Sequence, residues 1–442
     1  MSTPPKSQSA KRKRGVLLSL KGWQRLQAAE QQVTQVENQG RPFTLQELSD
    51  RTGLSSNTLA RVRGRKIAVD QQTLEYYFRA FDLILTLEDY SDTDFNGNLG
   101  RLPGPPNGQL PIDSPLYISR PPAESLCLES ILQPGGLIRV KAPRQMGKTS
   151  LVARTMSKAR DYQFSTVMIS LRLADSGIFR DLKRFLQWLC AVVSQDLELS
   201  VQIADYWDDL FGASYNCTSY FERFLLKHLE QPLVLALDDV DVVFDYPELV
   251  SDFFGMLRAW YEKARYGDLR SELWQNLRLV LVYATEATIP LNLTQSPFNA
   301  GMLTELPSLT PSQVIELVNR YGLLEGELDV MRLMELVGGI PYLTHLGLYA
   351  LRMRDQSVEE LIDHAIAPDG IYSHHLRSQL LELQAYPELL GVLRKVVLSS
   401  EPVGLEPVQA FQLQSKGLVK VHQHQIVPSC DLYRRFFSHV LG

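Results

Sequence analysis

Residues 142–149 read Ala-Pro-Arg-Gln-Met-Gly-Lys-Thr, between an apolar run (LIRVKA) and a segment with helical patterning (SLVARTMSKA). A Gly-Lys-Thr at the turn from strand to helix is the core of a phosphate-binding loop. Gly147 lets the backbone fold around a phosphate without a Cβ clash. Successive N–H groups and the helix N-terminus direct positive dipole density at the anion. In this reading Lys148 reaches the β- and γ-phosphates, Thr149 ligates Mg²⁺, and Ser150 supports the loop. Pro143, Arg144, Gln145 and Met146 form the remaining cradle. Such motifs usually begin with glycine, and here that position is Ala142, which rules out a strained φ > 0 turn at the start of the loop.

A second acidic motif lies downstream, LVLALDDVDVVF, an apolar strand ending in Asp238-Asp239. This is the Walker B arrangement. Asp238 holds Mg²⁺ through water, and Asp239 orients or deprotonates an attacking water. Asp is shorter than the Glu found there in many efficient ATPases, which points to slow hydrolysis. A third strand ends at Tyr283-Ala-Thr285-Glu286, and Thr285 is the candidate γ-phosphate sensor. No Ser/His/Asp, Cys/His or metal-ligand constellation points to other chemistry. Cys127, Cys190, Cys217 and Cys430 are scattered and read as reduced, buried thiols.

The elements that must position these residues follow from hydrophobic patterning. Near-continuous apolar runs at 137–142, 164–171, 233–238, 277–284 and 302–306 read as strands covered on both faces. Helical patterns lie between them at 148–160, 177–197, 218–230 and 247–265. Alternation of this kind predicts an α/β fold with a parallel sheet. After Pro307 the pattern is helical (311–321, 327–337, 342–354), and the last seventy or so residues read as helices followed by a hairpin at 417–427. Residues 338–343 (Gly-Gly-Ile-Pro-Tyr-Leu) form a helix–helix corner, with glycines ending one helix and Pro341 starting the next.

Charge divides the chain. Of 442 residues with a net charge of −5, residues 1–66 hold thirteen Lys/Arg and four Asp/Glu, or +9, leaving −14 for the remainder. A basic module on an acidic body points to an anionic partner, nucleic acid first. Residues 44–66 (TLQELSDRTGLSSNTLARVRGRK) place Leu45, Leu48, Leu54, Leu59 and Val62 at the spacing of two helices with a tight turn at Gly53. Thr44 with Glu47 has the capping-box spacing. No run is apolar enough to span a membrane and no secretory signal is evident, so a cytoplasmic protein is expected.

Taken together, YISRPPAE, LIRVKAPRQMGKTSLVAR, DDVDVVF, GGIPYL and LQSKGLV…VPSCDLYRRFF resemble the bacterial AAA-like domain proteins of the STAND/AAA+ group, over roughly residues 112–442. The resemblance implies ATP/ADP and Mg²⁺ as cofactors and the ASCE strand order 5-1-4-3-2. It implies that Pro341 packs on adenine, and that Tyr117 and Arg120 sit where such proteins contact the base. It also implies a C-terminal winged helix with Lys416–Val427 as its wing, His422 and His424 alternating on one face. The N-terminal segment resembles lambda-repressor-like and vWA-MoxR-associated helix-turn-helix domains. In a DNA-reading version Ser55, Ser56, Asn57, Thr58 and Arg61 face the major groove, with Arg63, Arg65 and Lys66 on phosphates. A docking or dimerisation module has the same pattern.

The expected organisation is a basic disordered arm (1–15), an all-α helix-turn-helix domain (16–90), a linker (91–115), a P-loop core (116–308), a helical lid (309–370) and a winged helix (371–442). The function implied is a STAND-type ATP/ADP switch with slow Mg²⁺-dependent hydrolysis. Known members carry C-terminal sensor repeats, so this sequence is expected either to sense through a partner chain or not to be a sensor of that type. One alternative is a DNA-associated oligomeric AAA+ ATPase, with Arg265 and Arg270 as candidate arginine fingers. Another is a non-catalytic nucleotide-binding scaffold.

Overall fold

The computed structural model describes residues 16–38, 40–65, 69–86, 89–92, 106, 108–284, 297–323, 329–354 and 356–442. The basic arm (1–15) and most of the expected linker (93–105 and 107) lie outside them. Two compact units divide the chain, Met1–Gly104 and Pro105–Gly442.

In the first unit, β1 (Val16–Leu18), α1 (Leu20–Glu37), α2 (Leu45–Thr52), α3 (Ser56–Gly64), α4 (Gln71–Arg79) and β2 (Tyr90–Asp92) follow in order. Thr44 and Glu47 form the capping box, and Gly53 closes α2 in the left-handed conformation at φ 70°. Leu48, Leu59 and Val62 are buried with Leu26, Leu74, Tyr77 and Phe78. Leu45, read as part of the same apolar spacing, is 42% exposed. The unit is not wholly helical, because β1 pairs antiparallel with β2. Ser91 and Asp92, at the start of the expected linker, thereby pair with Leu17 and Val16.

The second unit is built on a five-stranded sheet of β3 (Leu137–Lys141), β4 (Ser165–Ser170), β5 (Leu233–Asp238), β6 (Leu277–Tyr283) and β7 (Met302–Glu305). All neighbours are parallel, in the spatial order β4-β5-β6-β3-β7. Numbered within the sheet, this reads 5-1-4-3-2 from the β7 edge. Every residue of β5 and β6 is buried, as near-continuous apolar runs covered on both faces require, with Asp238 and Arg278 the charged exceptions in those runs. On one face α7 (Leu182–Asp196), α8 (Ala213–Tyr220) and α9 (Pro247–Lys263) pack against Leu235, Leu237 and Leu279. Further helices are α5 (Ala123–Leu132), α6 (Lys148–Asp161) and α10 (Leu269–Trp274). The helix expected at 218–230 is interrupted by a π-turn at Phe221–Leu225, which buries Phe221, Phe224 and Leu225 together.

Beyond the sheet come α11 (Pro311–Arg320), α12 (Val330–Val337), α13 (Pro341–Arg354), α14 (Val358–Asp363), α15 (Ser373–Gln384), α16 (Pro387–Leu398), α17 (Pro407–Ser415), the hairpin β8 (Val419–His422) with β9 (Gln425–Pro428), and α18 (Asp431–Leu441). The Gly338–Gly339 corner is held tightly. Leu309 N donates to Gly339 O at 2.8 Å, and a Cβ on Gly339 would stand 2.4 Å from Leu309 O. Among the described residues no helix is long and apolar enough to cross a membrane.

Candidate functional site

Between β3 and α6 the chain wraps into the loop read from the sequence. Gly147 stands at the start of α6 with φ 84° and Gln145 takes φ 66°, so the wrap depends on left-handed backbone at both positions. Ala142 is buried and not left-handed, which is how the loop accommodates a residue other than glycine there. Lys148 Nζ donates to Ala142 O at 2.9 Å and to Pro143 O at 3.0 Å, so the ammonium lies across the mouth of its own loop. Burial lowers its pKa, against the pull of Asp241, Asp238 and Asp239.

The end of β5 meets this loop. Thr149 Oγ1 donates to Asp238 Oδ2 at 2.8 Å. Burial raises the Asp238 pKa, and the Thr149 hydrogen bond opposes it. These are hard oxygen donors where the end of β5 meets the start of α6, and Mg²⁺ favours one or two such groups completed by phosphate oxygens and water. Among the described residues no cluster of three or more His, Cys, Asp or Glu could hold a metal ion. Asp239 is less open. It is left-handed at φ 55°, accepts from Ser170 Oγ at 2.7 Å through Oδ2, and pairs with Arg172 Nε at 2.9 Å through Oδ1.

A cleft of about 570 Å³ opens over the loop. Gln145, Gly147, Lys148, Thr149, Asp238 and Asp239 line one side, with Tyr117, Arg120 and Pro341 also on its wall. Arg120 is turned towards the loop: it is 3% exposed, and Nη1 donates to Met146 O at 2.6 Å. Its guanidinium thus braces the loop backbone, while the residue also lines the cleft beside Tyr117 and Pro341. Burial lowers its pKa, and its Nε is sealed without a hydrogen-bond partner among the described residues. Tyr117 donates its hydroxyl to Glu124 Oε1 at 2.8 Å while the Arg154 guanidinium lies 3.7 Å over its ring. Ser150 Oγ accepts from Leu110 N at 3.1 Å, tying the start of the second unit to the loop.

Several lining residues had no local signature in the sequence: Arg172 after β4, Tyr342 and His345 on α13, and His374, His375 and Ser378 on α15. Two of the loop residues reach directly to the C-terminal helices. Arg144 Nη1 donates to Glu382 Oε2 at 2.7 Å, and Lys416 Nζ donates to Glu382 Oε1 at 2.7 Å. Burial would raise the Glu382 pKa, but Lys416 and Arg144 outweigh it and hold it low. Gln145 Nε2 lies 3.0 Å from His375 Nδ1, whose Nε2 lies 2.9 Å from the Tyr433 hydroxyl. No periodicity could flag these pairs, because Arg144 and Glu382 are 238 residues apart.

Other expected residues fall elsewhere. Thr285 and Lys66 lie outside the described residues. Arg265 donates to Tyr261 O at 2.7 Å and Gly135 O at 3.1 Å, while Arg270 pairs with Glu222 at 3.6 Å; neither lines the cleft. His422 ends β8 but His424 sits in the left-handed hairpin turn, so the two do not alternate on one strand face. On α3, Asn57 and Arg61 are exposed, Ser56 and Thr58 half-buried, and Ser55 caps the helix by accepting from Thr58 N at 3.1 Å. Arg63 and Arg65 are corrections, because both turn into their own unit. Arg63 pairs with Glu30 at 3.0 Å and donates to Tyr77 Oη at 2.8 Å, and Arg65 Nε donates to Leu18 O at 3.2 Å.

The four cysteines are buried and unpaired by disulfides, with Cys190 and Cys217 sulfurs 3.6 Å apart.

Comparison with known proteins agrees with this architecture. An uncharacterized WD repeat-containing protein of Synechocystis is 23% identical over 363 residues, 75% of this chain, and the chain spans 30% of that relative's length. The Walker-type ATPase of Pyrococcus abyssi superimposes with a TM-score of 0.52 at 15% identity, over 73% of this chain and 96% of that one. The Aeropyrum pernix Orc1 protein, solved in complex with DNA, gives a TM-score of 0.39 at 12% identity, over 74% and 94% of the two chains. The Pyrococcus likeness is one of fold, the parallel α/β sheet of P-loop ATPases. The sequence profile of the AAA-like domain family matches residues 105–439, and the chain belongs to that family.

Proposed function

We propose that the chain is a nucleotide-dependent switch of the STAND type, binding ATP or ADP with Mg²⁺ in the cleft and hydrolysing ATP slowly. The observation that carries this reading is the linkage of the phosphate loop to the C-terminal helices through Arg144–Glu382 and Gln145–His375. A change at the loop is then felt by α15 and α18, and only a ligand with differential contacts in two states can bias a switch. In this reading Lys148 holds the β- and γ-phosphates, Thr149 and Asp238 hold Mg²⁺, and Pro143 to Met146 with Gly147 and Ser150 form the cradle. The metal would neutralise phosphate charge. Asp239 orients the attacking water, and Thr285 senses the γ-phosphate. Tyr117 and Pro341 line the base end, while Arg120 keeps the loop in shape.

Residues 116–308 then act as the ATPase core, 309–370 as the lid and 371–442 as a winged helix, in a cytoplasmic protein. The Synechocystis relative carries WD repeats by its description, which supports an input supplied by a repeat module or partner. The test is the nucleotide carried by the purified protein, released by denaturation and identified by chromatography, beside the Lys148→Ala variant. Near-stoichiometric ADP, lost in the variant, supports the switch. An empty protein that turns over ATP rapidly sinks it.

One observation favours a second reading, a DNA-associated ATPase. Asn57 and Arg61 are exposed on α3, which follows a tight turn after α2 as a groove-reading helix does. DNA-stimulated ATP turnover with oligomer formation distinguishes it from the switch.

A further inference from the structure

His345 sits one turn into α13, lines the cleft, and is 7% exposed. Tyr321, buried at the end of α11, places its hydroxyl 3.0 Å from His345 Nδ1 and 3.5 Å from the His345 main-chain oxygen. A buried phenol needs an acceptor for its proton, and the nearer one is Nδ1. The imidazole then carries its own proton on Nε2. Burial, aided by the Arg120 charge, takes the His345 pKa down to about 4, so the ring is neutral at neutral pH. Nε2 has no hydrogen-bond partner among the described residues and is not one of the polar atoms sealed from solvent. The cleft wall therefore carries an oriented, neutral N–H donor. The same cleft is lined by the apolar and aromatic Ile118, Leu309, Pro341 and Tyr342. Such a wall suits a flat heteroaromatic ring.

We infer that His345 is the base-reading residue, donating from Nε2 to N1 of adenine and so selecting adenine over guanine nucleotides. This rests on the proposed nucleotide reading of the cleft. Adenine N1 is an acceptor, whereas guanine carries a proton there. A donor set against a donor leaves both unpaired in a buried site, a loss of about tenfold to a hundredfold in affinity.

The experiment uses the full-length protein with Mg²⁺, displacing a fluorescent ATP analogue with ATP, GTP and ITP. Wild type is expected to favour ATP over GTP and ITP by about tenfold or more. His345→Ala is expected to bring the ratio to within about threefold by weakening ATP alone, and His345→Gln, which retains an amide donor, to keep most of the preference. A merely structural role would weaken all three nucleotides alike and would not be rescued by Gln. Tyr321→Phe, which lies outside the cleft, is expected to narrow the preference through the lost partner of Nδ1, and it serves if His345→Ala does not fold. Wild type binding ATP, Lys148→Ala not binding it, and His345→Ala keeping the full preference would overturn the inference and leave the nucleotide reading intact. Wild type binding neither ATP nor GTP would overturn both.

Discussion

Arg172 Nε lies 2.9 Å from Asp239 Oδ1, so the second carboxylate of the Asp238–Asp239 pair is held by an arginine from the turn after β4. Ser170 occupies the other oxygen. Burial would lower the Arg172 pKa, but the hydrogen bond and charge of Asp239 outweigh it and raise it. A carboxylate with both oxygens engaged is a poor base for water. Arg172→Ala is therefore expected to raise single-turnover ATP hydrolysis about three- to tenfold without tightening ATP binding, whereas Asp239→Asn abolishes the increase. An unchanged rate in Arg172→Ala would show that the pair does not limit hydrolysis.

Lys148 is held by two backbone carbonyls and its burial disfavours the cation. Lys148→Ala should weaken ATP by at least about a hundredfold, the scale of a charge-assisted contact to phosphate in a dry site. The thermal midpoint of the ligand-free protein should change little. Unaltered affinity, measured by titration calorimetry, would remove the loop from nucleotide binding.

Glu382 bridges Arg144 and Lys416 between the phosphate loop and the C-terminal helices. The Arg144 side chain is partly exposed, so solvent screens the pair and its coupling should be about 0.5–1 kcal/mol in a double-mutant cycle. Glu382→Ala should speed ADP release, read by stopped-flow fluorescence. Adding Arg144→Ala should give little further effect, and independent, additive effects would separate the two residues.

His345 and His375 are both pushed down to about 4 by burial, with Arg120 and His374 respectively lowering them further. The unfolded chain takes up protons near the ordinary value of 6.5 while the folded chain does not. Stability is thus full above about pH 6.5 and falls as pH drops towards 4, by up to about 3 kcal/mol for each histidine. Urea midpoints between pH 7.5 and 5 should decline in wild type and decline less in His375→Gln. Parallel curves would assign the loss to other groups.

In the first unit, Arg63 and Arg61 should separate structure from ligand contact. Arg63→Ala leaves the buried Glu30 without its cation and removes a donor to Tyr77, costing about 2–4 kcal/mol in stability. Arg61→Ala, at an exposed position, should leave stability unchanged and weaken duplex DNA binding in 100 mM salt if α3 meets DNA. Equal stability losses in the two variants would contradict the packing.

What the sequence determined by itself is local in the chain. The phosphate loop occupies consecutive residues between an apolar strand and a helix. The strands β3, β5 and β6 are near-continuous hydrophobic runs, and the Thr44–Glu47 cap is a three-residue interval. Periodicity and turn chemistry act over these short distances, so they can be read without a fold. The short β1–β2 pairing could not be read, because its partners lie more than seventy residues apart and each strand has only three residues. Helical spacing placed Arg63 on α3, but only packing against α1 turned it towards Glu30 rather than outward. The same holds for the far wall of the cleft. Arg172, His345 and Glu382 have ordinary neighbours in sequence, and their roles arise when burial removes water and distant charges become nearest partners. Tertiary structure decided those contacts, because the energy of a polar group depends on what surrounds it once folded.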